Sequence, residues 1–231
     1  DPGYGFEALE NMTRWDWGQD LFEWFEYYLQ ERGPKPSLDA QIQRNDGQWR
    51  VEETWPPADR EPFTLDLSDC GNDGAFVGGG LSVVGGGQTV TVECPDINDD
   101  RDIHIAGLPT LHLSAVPTFD GGQVFIEMQD AMTGLRLGHA TMDVRYHEGG
   151  YEPQTVIPGQ QITMMMEFQG IDAILPAGNG LRFIFSDQGE DYLAPACGNA
   201  CTVHILPSLS VFEAPTVERG HETILTVPQP Q

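Results

Sequence analysis

The clearest structural pattern in the chain lies between Leu108 and Asp187, which read LPTLHLSAVPTFDGGQVFIEMQDAMTGLRLGHATMDVRYHEGGYEPQTVIPGQQITMMMEFQGIDAILPAGNGLRFIFSD. Apolar and polar residues alternate through five runs of this stretch, and a period of two is typical of strands with one buried face. Turn sequences such as Asp120-Gly121-Gly122 separate the runs, because glycine supplies the positive φ of tight hairpins. The pattern predicts a mostly β fold, an antiparallel jelly-roll sandwich. The residues predicted to face its core are Leu111, Leu113, Ala115, Val124, Ile126, Met128, Ala140, Met142, Val144, Tyr146, Ile162, Met164, Met166, Phe168, Leu181, Phe183 and Phe185.

One amphipathic helix is predicted before the sheet, from Asp16 to Arg32. Asp16 can cap it, with Gln19 three residues later as in a capping box, and Gly33-Pro34 is expected to end it. Its apolar residues share one helical face and are mostly aromatic. That face consists of Leu21, Trp24, Phe25, Tyr28 and Leu29. No second helix is predicted to cover these residues, so we expect them to form an interface with the β-domain or with another partner.

The rest of the chain reads as strands and loops. Residues Leu38 to Val51 predict a strand pair around the turn Asn45-Asp46-Gly47, and Phe63–Leu67 and Gln88–Glu93 predict two more strands. The stretch from Asp69 to Gly87 is rich in glycine and predicts a surface loop. It lacks the Gly-Lys-Ser/Thr ending of a phosphate-binding loop, and no cofactor is predicted.

The charge balance restricts the partners of the protein. Its 231 residues include 36 acidic and 11 basic side chains, for a formal net charge of -25, and Lys35 is its one lysine. A field of this sign repels nucleic acid and anionic membranes, so neither is an expected partner. No apolar run approaches the ~20 residues of a membrane span. The carboxylate surface either serves solubility or indicates a secreted, salt-adapted protein.

Four cysteines suggest an oxidising compartment. Their even number and one close pair predict the disulfides Cys70–Cys94 and Cys197–Cys201. The alternative is a zinc site in which Cys197, Cys201 and His204 are ligands, with Cys70 or Cys94 as the fourth. The spacing C-x3-C-x2-H matches none of the usual structural zinc patterns, so disulfides are the favoured interpretation.

The densest acidic loop is a weak calcium candidate. Asp96, Asn98 and Asp100 place oxygen ligands at alternate positions, as at the start of a calcium-binding loop. Arg101 and Gly107 stand where an EF-hand needs glycine and a bidentate glutamate. A solvated turn before a strand explains the same residues and is the favoured interpretation, so no metal site is predicted.

The sequence contains no catalytic motif. Its six histidines are scattered and are expected on the polar faces of strands. Asp187, His204 and either Ser208 or Ser210 could be combined into a triad on paper, but nothing in the sequence singles them out. The run Met164-Met165-Met166 is expected to place two methionines in the core.

Short phrases carry a family resemblance. Four of them occur in this order: GLPTLHLSAVPT, MDVRY, PGQQITMMMEF and LPAGNGLRFIFSD. Upstream stand FEWFEYYL (22–29), DGQWR (46–50) and WPP (55–57). Together they resemble the C-terminal β-domain, and the helix before it, of X-Pro dipeptidyl-peptidases and cocaine-esterase-like hydrolases, the CocE/NonD group. The sequence departs from that pattern at Asn179-Gly180, where the family often has His-Arg, and at Gln30-Glu31, where Lys-Gly is usual.

The resemblance implies a domain division and a function. Residues 1–37 would be the helical remnant of an α/β-hydrolase domain, and residues 38–231 a C-terminal jelly-roll domain of galactose-binding-like type. The chain has no G-x-S-x-G and no histidine before His104, so the family's catalytic triad is expected upstream of Asp1. The chain would be a non-catalytic domain of a secreted serine hydrolase that cleaves an ester or a prolyl peptide bond. It would wall the active site, contact the upstream hydrolase domain and support a homodimer.

An independent carbohydrate-binding module is the alternative. Jelly rolls often bind sugars. All five tryptophans lie in the first quarter of the chain, at Trp15, Trp17, Trp24, Trp49 and Trp55. Exposed aromatics at that density indicate either an interface or a sugar platform. A docking domain predicts a broad apolar patch, whereas a sugar platform predicts two or three coplanar rings with polar neighbours.

Overall fold

The structure is a computed structural model that describes residues 17–71, 81–97, 100–189, 197, 200–218 and 223–225. These residues form one α-helix, α1 (Trp17–Gln30), and fifteen strands. The strands are β1 (Ala40–Gln43), β2 (Trp49–Glu52), β3 (Glu61–Asp66), β4 (Ser82–Val84), β5 (Val90–Cys94), β6 (Ile103–Gly107), β7 (Thr110–Pro117), β8 (Gln123–Asp130), β9 (Arg136–Asp143), β10 (Ile162–Glu167), β11 (Ile171–Leu175), β12 (Leu181–Ser186), β13 (Val203–Ile205), β14 (Val211–Thr216) and β15 (Thr223–Leu225). Within the described residues, no helix is both long and apolar enough to cross a membrane.

The strand order is that of a jelly roll. The first sheet contains eight strand segments that follow one another in pairs, β3 and β4, β6 and β7, β10 and β11, and β13 and β14. If each pair is counted as one interrupted strand, the sandwich has the order 1-8-3-6 in this sheet and 2-7-4-5 in the second, β5-β12-β8-β9. Every strand pair is antiparallel. This order confirms the predicted antiparallel jelly-roll sandwich preceded by a short helix.

The core lies between the two sheets, where the alternating pattern placed it. Leu111, Leu113 and Ala115 of β7 are fully buried, as are the inward residues of β8 and β12. Phe183 joins the sheets, because its ring lies 5.1 Å from that of Phe212 and 6.5 Å from that of Phe168, measured between centroids. Of the three consecutive methionines, Met164 and Met166 are buried and Met165 is exposed, as predicted.

A small third sheet, in the order β1-β2-β15, lies outside the sandwich. Its strands β1 and β2 form the predicted hairpin, with Ala40 opposite Glu52 and Gln43 opposite Trp49. Gly47 in the turn has a φ of 82°, a left-handed conformation that favours glycine.

Several elements differ from the prediction. The helix ends at Gln30 because Glu31, with a φ of 54°, is the left-handed residue, and the N–H groups of Glu31 and Arg32 donate back to the carbonyls of Tyr27 and Glu26. Strand β9 ends at Asp143, whose carboxylate accepts the N–H of Arg145 and starts a 3₁₀ turn where a strand through Tyr146 was predicted. Part of the predicted glycine-rich loop is strand β4, and residues 72–80 lie outside the described residues.

Both disulfides form between the predicted partners. Cys70 bonds to Cys94 and Cys197 bonds to Cys201, with Cα–Cα distances of 4.3 and 5.7 Å. The alternative zinc site is therefore wrong, because all of its cysteines are in disulfides. The first bond joins the 3₁₀ turn after β3 to the end of β5, so it ties the first sheet to the second.

Removal of the two disulfides should have unequal effects. The Cys70–Cys94 bond spans 24 residues and the Cys197–Cys201 bond spans 4. In the chain-entropy account these loops correspond to about 3 and about 2 kcal/mol of stabilisation. We expect Cys70→Ser/Cys94→Ser to lower the free energy of unfolding in urea more than Cys197→Ser/Cys201→Ser. Equal or reversed losses would contradict this account.

Candidate docking surface and its attachment to the sandwich

The apolar face of α1 is exposed. Leu21, Trp24, Phe25 and Tyr28 each retain about 40% of their accessible surface, and Leu29 retains 70%. Phe22 beside them is 72% exposed. Large apolar side chains of this number on one short helix form a contiguous patch of the kind that marks an interaction surface. The role of these residues as an interface stays a prediction.

The aromatic rings of α1 pack on one another without forming a flat platform. Trp24 meets Phe25 at 86° and Tyr28 at 38°, and Tyr27 meets Tyr28 at 87°. Edge-to-face and tilted pairs suit a surface that interdigitates with other side chains. A sugar platform needs coplanar rings, so this geometry favours protein docking over carbohydrate binding at the helix. Trp15 and the side chain of Trp17 lie outside the described residues.

The hairpin β1–β2, which follows the helix in sequence, is attached to the edge of the first sheet. The Asn45 side chain donates to the carbonyl of Ile174 and accepts from its N–H, both at 2.9 Å. The Asn45 N–H also donates to the carbonyl of Asp172 at 3.0 Å. Asn45 thus pairs with strand β11 as a neighbouring strand would, and it covers part of an otherwise open edge.

A buried ionic cluster reinforces this attachment. The Asp172 carboxylate accepts from Nε of Arg50 at 2.5 Å and contacts Nε2 of His104, and the three side chains are at most 1% exposed. Arg50 also pairs through Nη1 with Glu52. Charges withdrawn from water to this extent are tolerated only when they are paired, so each residue requires the others. The cluster links the hairpin to strands β6 and β11.

Trp55 packs against the Arg50 side chain of the cluster. The guanidinium carbon of Arg50 lies 5.8 Å from the Trp55 ring centroid, within cation–π range. Gly170 lies beneath this side chain, since a Cβ there would come within 3.1 Å of the Trp55 Nε1 atom. At Gly107, with a φ of 141°, a Cβ would lie 2.6 Å from Cγ of Pro215 and 3.0 Å from Cβ of Pro56. These two glycines therefore allow the Trp55-Pro56 segment to pack closely against the sheet.

The turn of the hairpin carries its own, partly exposed ion pair. Asp46 accepts from Nη2 of Arg44 at 2.5 Å and from the N–H of Gln48 at 3.0 Å. Burial raises the pKa of Asp46, but the hydrogen bonds from Arg44 and from the Gln48 N–H outweigh it and hold that pKa below its ordinary value. The stability that this carboxylate contributes is therefore present above its unfolded pKa and is lost as the pH falls through the lower, folded value.

Other predicted site residues do not converge. His204 forms no hydrogen bond to Asp187, Ser208 or Ser210, and the Ser210 hydroxyl is committed to the Leu206 carbonyl and the Ser114 N–H. The combination of these residues into a triad is therefore wrong. Asn98 lies outside the described residues, and elsewhere in the described chain no three His, Cys, Asp or Glu side chains are grouped to hold a metal.

The histidines were expected on the polar faces of strands, and two of them are nevertheless buried. His104 and His139 are at most 5% exposed. No sequence pattern predicted the roles of Asp172, His104 and Asn45. The one available signal was Asp172, a single carboxylate inside the apolar run IDAIL.

Comparisons with known proteins agree with this fold. The chain matches the crystal structure of an aminopeptidase from a marine sediment Thaumarchaeota archaeon with a TM-score of 0.63 at 10% identity. It matches a CocE/NonD family hydrolase from Staphylococcus aureus with a TM-score of 0.58 at 11% identity, and an α-amino acid ester hydrolase with a TM-score of 0.58 at 14% identity. The comparison with protein-family models and the comparison with curated protein sequences found no match.

The matches cover most of this chain and a minority of the others. The chain is covered over 88%, 86% and 94% of its length, and the three hydrolases over 44%, 45% and 48% of theirs. The resemblance predicted from the sequence motifs is thus confirmed at the level of the fold. The chain has the fold of one part of these enzymes and spans less than half of their length.

Loss of the Asp172 charge should strongly lower the free energy of unfolding. Asp172→Asn removes the charge that pairs Arg50, and a buried pair that loses one partner costs roughly 3–5 kcal/mol. Asp143→Asn is the matched control, because both members of its ion pair with Arg145 are partly exposed, at 29% and 49%, and such pairs contribute about 1 kcal/mol or less. Chemical unfolding should show a several-fold larger loss for Asp172→Asn. Losses of similar size would mean that the cluster does not anchor the hairpin.

Proposed function

We propose that this chain is the non-catalytic C-terminal domain of a secreted serine hydrolase, of the esterase or X-Pro dipeptidyl-peptidase type. The observation that carries the proposal is the exposed aromatic face of α1, directly upstream of a jelly roll whose fold is shared with one part of several hydrolases. In this proposal the catalytic serine, acid and histidine belong to an upstream α/β-hydrolase domain. The sandwich walls the active site and supports dimerisation of the whole enzyme.

The hydrolase domain is the occupant that we propose for the apolar face of α1. The matched enzymes contain more than half of their length beyond the part that this chain covers. The phrase FEWFEYYL in α1 resembles the helix that closes the hydrolase domain in the CocE/NonD group. Residues 1–37 would therefore belong to the hydrolase domain, with residues 38–231 as the appended sandwich. Burial of one aromatic side chain of the stripe contributes roughly 2 kcal/mol.

Export and salt tolerance form part of the same proposal. Two disulfides favour an oxidising compartment. The surplus of 36 acidic over 11 basic residues gives a surface that holds water through carboxylates. Such a surface is self-repelling at low ionic strength and is screened by salt, so the domain is suited to a saline extracellular medium.

The docking face can be tested on the isolated chain. We expect it to bind a neutral hydrophobic dye such as Nile red or to self-associate, because the aromatic stripe is exposed to water. Phe25→Asp should abolish both signals. Phe119→Asp is the matched control, since Phe119 is 46% exposed but lies on the sandwich between β7 and β8. Fluorescence titration and analytical ultracentrifugation give the two readouts.

The same substitution in the full-length enzyme tests the identity of the occupant. Phe25→Asp should detach the β-domain in limited proteolysis and lower activity without altering a catalytic group. A wild-type chain that is monomeric and silent to the dye, or a full-length Phe25→Asp enzyme with intact domain contacts, would contradict the docking proposal.

Activity of the isolated chain provides a separate test. The chain lacks a G-x-S-x-G nucleophile motif, so we expect no turnover of p-nitrophenyl esters or of Ala-Pro anilides. The assay should use material free of other chains and include a serine-directed phosphonate. Turnover that the phosphonate blocks would show that a catalytic serine lies within these 231 residues.

A further inference from the structure

Asp187 is a buried carboxylate to which the docking proposal gives no role. It directly follows strand β12, in which Phe183 and Phe185 are fully buried in the core. Because alternate residues of a strand point the same way, Asp187 continues this inner face. The residue is 4% exposed. An acidic group therefore faces inward at one end of the apolar core.

The protein supplies little to balance this carboxylate. Its Oδ2 atom accepts a hydrogen bond from the N–H of Gly87 at 3.4 Å, which is longer than the roughly 2.7–3.2 Å of ordinary N–H···O bonds. Its Oδ1 atom is buried and has no hydrogen-bond partner among the described residues. None of the ion pairs that these residues form includes Asp187. A buried carboxylate is tolerated only when it is paired, so Asp187 requires a positive partner or a proton.

The other buried aspartates of the described chain have the partners that Asp187 lacks. Asp130 accepts three hydrogen bonds of 2.8–2.9 Å, two of them from backbone N–H groups. Asp172 is paired with Arg50 and with His104. Asp187 therefore differs from them in its partners and not in its burial.

Neutral oxygen atoms of two neighbouring segments are available beside Asp187. The turn between β4 and β5 has Gly86 and Gly87 at its centre, with φ values of 62° and 78° as in a type I′ hairpin. The hydrogen bond that closes this turn uses the carbonyl of Gly85, so the next two carbonyls take no part in it. The Gln123 amide nitrogen donates to the Asp187 carbonyl at 3.3 Å, and the amide oxygen of the same side chain is a further acceptor.

A hard cation fits this combination of groups, because such ions take carboxylate, carbonyl and amide oxygens as ligands. The formal net charge of -25 also raises the local concentration of cations around the protein. We propose that Asp187 binds a hard cation, Ca²⁺ or Na⁺, through Oδ1, with carbonyl oxygens of the glycine turn as further ligands. The ion would join the turn after β4, in the first sheet, to the end of β12, in the second, and would stabilise the sandwich.

Thermal unfolding of the 231-residue chain tests the site. The protein is first freed of metal with a chelator and dialysed into choline chloride, and CaCl₂ or NaCl then replaces choline at constant ionic strength. At least one of the two ions should raise the Tm in a saturable manner, by about 5 °C or more at a hundred times its Kd. The amide resonances of Gly87 and Gln188 should shift over the same concentration range, which locates the ion without a variant.

Two substitutions separate the site from general screening of the acidic surface. Asp187→Asn keeps the shape of the side chain and removes its charge, so it should lose the saturable rise in Tm. In choline chloride alone it should unfold at the same temperature as the wild type or above it, because the amide needs no positive partner. Glu167→Gln is the matched control, since it removes one exposed carboxylate from β10 and should keep the full response.

The proposal is overturned if neither ion raises the Tm of the wild type beyond choline at equal ionic strength. It is also overturned if Asp187→Asn responds as the wild type does. A variant Asp187→Asn that unfolds several degrees below the wild type in choline chloride would mean that the protein itself stabilises the carboxyl group, and this too would exclude the site. These measurements need no upstream hydrolase domain, so the cation site and the docking proposal can fail separately.

Discussion

The carboxylate of Asp172 is the point on which the attachment of the outer hairpin depends. It is buried between Arg50, 122 residues away in sequence, and His104, 68 residues away. An unpaired carboxylate in this position would be strongly destabilising. Asp172 therefore keeps its ion pair with Arg50 only while the hairpin is packed on strands β6 and β11. Residues 40–52 therefore behave as part of the sandwich. The helix α1 is separated from this fixed base only by residues 31–39.

The breaks between paired strand segments of the first sheet provide the surface on which the hairpin and the segment that follows it pack. β6 gives way to β7 next to Gly107, and β10 gives way to β11 next to Gly170, so the two breaks lie on neighbouring strands. Both glycines admit side chains of the Trp55-Pro56 segment at distances that a Cβ would prevent. Trp55 then lies against Arg50, whose other contacts fix the ionic cluster. The interrupted strands are in this sense attachment points, comparable to the bulges that redirect side chains in other sheets.

The sequence predicted the features that depend on local pattern. Strands with one solvent-facing side, such as β7 and β8, follow the alternation of apolar and polar residues. Glycine-rich turns mark the hairpins between them. Strand β11 escaped prediction because all five of its residues are buried, so its sequence has no alternation to detect. The helix end was misplaced because Glu31 adopts a conformation for which glycine, available at Gly33, is the usual choice. The ionic cluster joins residues far apart in sequence, and no local pattern specifies such a meeting.

The length and charge of helix α1 bear on whether a second copy of the chain or a separate domain would cover its apolar face. A helix of 14 residues is marginal in water, because most helical stability comes from packing of its apolar face. Here that face is still partly exposed, while Asp20, Glu23 and Glu26 place carboxylates on the same short helix. A second copy would bring an identical set of carboxylates and another net charge of -25 to the contact. A separate domain can offer complementary apolar pockets and basic side chains at the rim instead. Under the docking proposal, charge therefore favours a different domain over self-association as the stable cover of this face.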